Sequence, residues 1–140
     1  MTNAEFDRAL EEQLMRHEGL RLKPYRCTAG KLTIGVGRNI EDVGISRAEA
    51  MAMLRNDILT ARLGLEKAVP GFLGLSSRRQ MALIDMCFNL GLPRFLAFKR
   101  MLAAIAAGDF AQAAEEMLDS AWANQVGQRA VTLATMMRDG

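Results

Sequence analysis

Apolar positions recur at helical spacing in the opening segment, where Phe6, Leu10, Leu14 and Met15 stand among charged neighbours from Asn3 to Glu18 and Gly19 follows as a stop. An amphipathic first helix is predicted there. From Leu22 to Ile40 the texture changes: Pro24, Gly30, Gly35 and Gly37 punctuate short runs such as Leu32-Thr33-Ile34, which predicts a small β-hairpin or three-stranded sheet. Ser46 with Glu49 has the form of a capping box, and the Ala, Met and Leu positions from Ala48 to Leu65 continue a long helix that Pro70 and Gly71 close. A further start at Ser76 or Ser77 leads into Met81, Leu83, Ile84, Cys87, Phe88 and Leu90. These are apolar almost all round, the pattern of a buried central helix, which Gly91 and Pro93 end. Three more helices are predicted at Phe95 to Ala107, Asp109 to Leu118 and about Gln128 to Arg138, separated by Gly108 and by the Ser120 to Gly127 stretch.

These elements sum to an α+β fold, mostly helical, with one small β lobe near the N-terminus. At 140 residues the chain has the size of one domain, and it shows no internal repeat, low-complexity tract or linker. The expected organisation is a single domain over residues 1–140. Its β lobe, about 19–45, is joined by the long helix to a helical lobe of about 70–140 that also takes in the first helix. A cleft between two such lobes would suit an extended polymer.

Composition narrows the function classes. Half of the residues are hydrophobic and 24% charged, as in a globular protein. A net charge of +2, from 18 basic and 16 acidic residues, gives no argument for a nucleic-acid partner. One Trp and one Tyr leave little material for stacking bases. The segment Met1 to Leu20 carries Glu5, Asp7, Arg8, Glu11, Glu12 and Arg16, with no apolar run of a signal peptide or spanning helix, so the expectation is a protein made in the cytoplasm without stable membrane insertion. Cys27 and Cys87 lie far apart in a chain with one His, so neither a metal site nor a disulfide framework is indicated and no cofactor is implied. Cys87 reads as a small core residue, Trp122 as core rather than a sugar platform, and Arg78-Arg79 as a solvated helix start.

Glu18 breaks two local rules. It sits at the negative end of a helix dipole, and at i+4 from Leu14 and i+3 from Met15 it lies towards the apolar side. Both placements disfavour the ionised form, the tuning that a general acid needs. An ordinary exposed carboxylate at a helix end would show the same spacing.

The run Arg16-His17-Glu18-Gly19-Leu20-Arg21-Leu22, then Pro24-Tyr25 and Thr33-Ile34-Gly35-Val36-Gly37, closely resembles the phage-type lysozymes, also called endolysins. In that family a Glu ending the first helix is followed by an Asp or Cys and then a Thr. Here these positions are Glu18, Cys27 and Thr33, with eight and five residues between them. Ala82 to Gly91 is similar to the family's central helix, and Trp122-Ala123-Asn124-Gln125 with Arg129 to its late signature, so the resemblance spans about Glu12 to Arg138.

The resemblance implies a lysozyme-like fold and a muramidase that hydrolyses the β-1,4 bond between N-acetylmuramic acid and N-acetylglucosamine. Glu18 would protonate the leaving oxygen, while Cys27 and Thr33 would hold a water against the opposite face of the sugar, as inversion requires. Arg129 matches a family arginine that lies near the catalytic Glu and would support it. The better-known members carry Asp where this chain has Cys27, and a thiol, with an ordinary pKa of about 8.5, is a poorer base at neutral pH. Base, nucleophile and water positioner all stay open for Cys27. Arg38 stands where many relatives have a His, with no partner visible in the sequence. The further implication is an endolysin that acts as a monomer, accumulates in the host cytoplasm and reaches peptidoglycan after a holin opens the membrane. A virion-associated or prophage muramidase would read the same. Its rivals are a lytic transglycosylase, which needs no positioned water, and a non-catalytic wall-binding module of the same fold.

Overall fold

Thr2 opens the first helix with a reciprocal cap, its hydroxyl accepting from the Glu5 N–H at 3.1 Å while its own N–H donates to the Glu5 carboxylate at 2.8 Å. In the computed structural model, which describes Met1–Gly140, this helix, α1, runs Asn3–Glu18 and ends where Gly19 takes φ 77° and donates to the Met15 carbonyl. Three antiparallel strands follow in the order β1 (Arg21–Arg26), β2 (Leu32–Gly35), β3 (Arg38–Asn39). The outer position of β1 explains how it tolerates Pro24, which has no N–H to give to a ladder. Its pairing is irregular between Arg21 and Tyr25 and regular at Tyr25 opposite Thr33 and Arg26 opposite Leu32.

The Ser46 to Glu49 box forms as the spacing predicts and starts α2 (Arg47–Ala68). Next come a single helical turn at Phe72–Gly74, α3 (Ser77–Leu90), α4 (Leu92–Leu96), α5 (Lys99–Ala106), α6 (Phe110–Leu118), α7 (Ala121–Val126) and α8 (Gln128–Asp139). The architecture is α+β and lysozyme-like, mostly helical with one small N-terminal sheet. No helix is long and apolar enough to cross a membrane.

Three expectations are corrected. The predicted helix from Phe95 to Ala107 is two helices, because Phe98 adopts ψ 64° and interrupts the ladder between α4 and α5. The Ser120 to Gly127 stretch is a helix rather than a connection, since Ser120 caps it by accepting from the Ala123 N–H. In α3, Ala82, Leu83, Met86, Cys87 and Leu90 are buried, but Met81 and Phe88 are exposed, so the helix is one-sided rather than enclosed.

The chain forms two compact units, Met1–Met51 and Ala52–Gly140. Their physics differs. The second holds the hydrophobic core, in which Leu65, Phe72, Leu83, Met86, Phe95, Met101, Met117 and Met137 are almost wholly buried. Trp122 belongs to this core, edge-on to Phe98 and donating from Nε1 to Asn89 Oδ1 at 2.8 Å. The first unit buries Thr33 and no hydrophobic side chain; Phe6, Leu10, Leu14 and Met15 of α1 are all exposed.

Arg79 departs from its reading as a solvated helix start. Its guanidinium donates to the Met137 carbonyl at 2.7 Å and the Arg138 carbonyl at 3.0 Å and lies 3.7 Å above the centre of the Phe110 ring. It therefore satisfies the free carbonyls at the end of α8 and ties α3, α6 and α8 together. Arg79→Ala should lower the unfolding free energy by about 1–2 kcal/mol, and Arg79→Lys should recover less than half of that, because an ammonium cannot serve both carbonyls and stack. Denaturant midpoints of the two variants against the parent check this.

Candidate active site

The positions singled out by spacing fall on three local structures of the first unit. Glu18 is the last residue of α1, Cys27 begins the turn after β1, and Thr33 lies in the middle of β2. Cys27 follows Tyr25 by two residues, and Tyr25 pairs across the ladder with Thr33. The hairpin thus carries Cys27 and Thr33 together.

The turn that holds Cys27 is closed by two backbone hydrogen bonds, Cys27 N–H to the Lys31 carbonyl at 3.0 Å and Gly30 N–H to the Cys27 carbonyl at 2.8 Å. This curl aims backbone N–H groups at the sulfur. Hydrogen bonds from the Lys31 and Ala29 backbone hold the Cys27 thiol below its ordinary value against a weaker opposing effect of burial. Cys27 is half-buried and unpaired, whereas Cys87 is buried and pushed up by desolvation. Thr33 is 3% exposed, and its hydroxyl donates to the Lys31 carbonyl at 2.9 Å. With that proton engaged, the lone pairs of the hydroxyl are free to accept from a neighbour.

Charges outside these three positions brace this turn. Glu41 and Asp42 both reach Lys31, at 3.4 and 3.3 Å, and Glu41 also lies 3.5 Å from Arg26. Asp42 is held in turn by both ends of Asn39, its carboxylate accepting from the Asn39 amide at 2.9 Å and its N–H donating back at 3.1 Å. The sequence offered no periodic signal for Glu41 and Asp42. Only their acidity, a hairpin's length away from Arg26 and Lys31, could have pointed to them.

Glu18 is exposed rather than turned to a buried side of its helix as its spacing from Leu14 and Met15 suggested. Its close neighbour is a glycine. A Cβ added to Gly37 would stand 2.7 Å from Glu18 Oε2 and 3.0 Å from Cδ, and Gly37 has φ 69°. The second glycine of Thr33-Ile34-Gly35-Val36-Gly37 is therefore required twice, by backbone conformation and by the approach of the carboxylate. The same short stretch carries Thr33 on its strand and receives Glu18 at its turn.

Arg38, next to Gly37, has a partner. Its guanidinium meets Glu49 at 2.6 Å, and Glu49 also accepts from the Ser46 N–H at 2.8 Å. The Arg38 hydrogen bond, helped by the Ser46 backbone and hydroxyl, lowers the Glu49 carboxyl to about 2.

Arg129 belongs to the second unit, at the start of α8, where it is bound to Asp85 by Nε at 2.8 Å and Nη2 at 2.7 Å. This pair borders a surface cavity of about 380 Å³ whose other walls include Leu54, Ile58, Met81 and Phe88. No group of three or more His, Cys, Asp or Glu side chains is placed to hold a metal ion.

Comparison with known proteins adds the family. The family model described as phage lysozyme matches residues 15–138. The chain is 36% identical to an endolysin of Acyrthosiphon pisum secondary endosymbiont phage 1, over 83% of this chain and 80% of that one. It is 27% identical to a probable T4-type lysozyme of Dictyostelium discoideum, covering 94% and 95%. To a SAR-endolysin of Escherichia phage Mu it is 31% identical, covering 76% and 62%. The match takes in the end of α1, the hairpin and every helix of the second unit, so the chain belongs to the phage lysozyme family and is a lysozyme-type glycosidase, a peptidoglycan hydrolase.

Proposed function

We propose that Glu18 is the general acid of an inverting muramidase and that Cys27 and Thr33 hold and activate its water. The observation that carries this reading is the hairpin, which brings a thiol biased towards thiolate, in the turn after β1, together with a hydroxyl with free lone pairs on β2, the strand whose following turn receives the Glu18 carboxylate. Glu18 gives its proton to the glycosidic oxygen as the bond from C1 of N-acetylmuramic acid breaks. A water on the opposite face bonds to C1, donating one hydrogen bond to Thr33 and passing its other proton to the Cys27 thiolate, which leaves the step as the thiol while Glu18 leaves it as the carboxylate. The chain acts as an endolysin: a monomer that collects in the host cytoplasm and reaches peptidoglycan once a holin has opened the membrane.

Digestion of purified peptidoglycan separates this from its rivals. The parent chain should release muropeptides with reducing ends, and Glu18→Gln should release about 1,000-fold less, as loss of a general acid costs 10²–10⁴ in rate. Mass spectrometry of the products decides, since 1,6-anhydro ends would mark a transglycosylase and undiminished release by Glu18→Gln would dismiss Glu18 as the acid.

Position 27 tests the water. Cys27→Asp should retain activity and move the acid limb of the rate profile to lower pH, because a carboxylate becomes basic near pH 4 and a thiol several units higher (~8.5 unperturbed, less here). Cys27→Ala should lose most activity. A wild-type rate for the alanine variant would remove the thiol from the mechanism.

Dependence on a holin is checked in cells. Induction of the chain alone should leave the optical density of a culture rising, with lysis following only when a holin is co-expressed; prompt lysis without one would show another route to the wall.

A further inference from the structure

Within the site just proposed, and resting on Glu18 as its acid, one pair of residues stands outside the reaction and yet next to the acid's neighbour. We propose that Arg38 and Glu49 form a positioning clamp that pins the Gly37 turn in the place where it receives the Glu18 carboxylate.

Strand β3 is two residues long, Arg38-Asn39, and meets β2 through Asn39 opposite Thr33 and Arg38 opposite Ile34. So short a strand has little ladder to hold it, and two-stranded pairings of a few residues are marginal on their own. Hydrophobic packing does not make up the difference, because Thr33 is the one buried side chain between Met1 and Met51. What remains is polar. The Arg38 to Glu49 contact, at 2.6 Å, is the shortest ion pair in the molecule and joins β3 to the first turn of α2. Glu49 is itself fixed, since one of its oxygens receives both Arg38 and the Ser46 N–H while its own N–H donates to Ser46 Oγ at 3.1 Å. The capping box thereby serves as an anchor for the sheet as well as a start for the helix.

Arg38 is bonded directly to Gly37, whose Cα surface limits how far the exposed Glu18 carboxylate can move. Release of β3 from α2 would let that turn drift. The acid would then sample positions from which it cannot reach the glycosidic oxygen, and small misplacements of a reacting group cost large factors in rate. The clamp touches neither the water nor the sugar, so its loss should appear in kcat and leave substrate binding alone.

The test is steady-state kinetics on soluble peptidoglycan fragments with the parent, Arg38→Met, Glu49→Gln, the double variant and Arg38→Lys. Glu49→Gln keeps an acceptor for the Ser46 cap and removes the charge, so folding is retained, which circular dichroism verifies. Each single variant should lower kcat five- to tenfold with KM within twofold. The double variant should fall no further than the worse single, and Arg38→Lys should restore kcat to within twofold. Gly37→Ala, which intrudes on Glu18 from the turn itself, should give the same kcat-limited loss. Wild-type kcat in both single variants, a loss carried by KM, or additive losses in the double variant would overturn the clamp. Glu18→Gln assayed alongside keeps the two claims apart: if it is inactive while the clamp variants keep wild-type kcat, only the clamp fails, and if it is active, the assignment of the acid fails.

Discussion

The site depends on a side chain that is missing. Gly37 offers the Glu18 carboxylate a bare backbone at a distance where any Cβ would collide with it. That close approach couples two elements which share no ladder, the end of α1 and the turn after β2, and every other feature of the first unit bears on keeping it. Gly19 stops α1 in time for Glu18 to be its last residue. The β1 to β2 hairpin carries Cys27 and Thr33 on the same short sheet. The Ser46 box, reached by Arg38, ends the segment in which all of this is held.

The two units solve the problem of stability by different means. In the second, apolar burial dominates, and its larger members include four methionines whose unbranched side chains fill irregular space between short helices. Polar groups there finish what packing begins: Asn89 satisfies the Trp122 N–H, and Arg79 closes the end of α8. In the first, directional bonds dominate. Caps at Thr2 and Ser46, paired charges around Lys31 and the amide of Asn39 are its fastenings. Each is exposed and worth little alone, and their effect lies in being linked into networks.

Much of this was legible in the chain. Periodicity and caps placed α1, α2 and α3 closely, because each begins or ends at a residue with a defined job: a capping hydroxyl at Ser46 and Ser76, a positive φ at Gly19 and Gly91. The break at Phe98 was not legible, since no Gly or Pro marks it and the apolar pattern runs straight through. Nor was α7, where Ser120 reads equally as a loop residue and as a cap. For the site, the family spacing singled out Glu18, Cys27 and Thr33 as candidates, while the partner of Arg38 was invisible because an ion pair between a strand and a helix start leaves no period in sequence. The curl that aims N–H groups at Cys27 was hidden for a similar reason, being a property of backbone angles rather than of residue types.

A unit that buries little beyond Thr33 asks almost nothing of the volume of its side chains. Position 27 lies on a half-open turn fastened by its backbone, so exchange between a thiol and a carboxylate there disturbs no packed neighbour and alters only acidity and reach. A change of side-chain chemistry at position 27 thus calls for no compensating change in the core. Glycine at 37 has no such freedom, because its constraint is the space that the Glu18 carboxylate occupies. Mutability within one small unit is in this way divided between a residue free to change its acidity and a residue fixed by its emptiness.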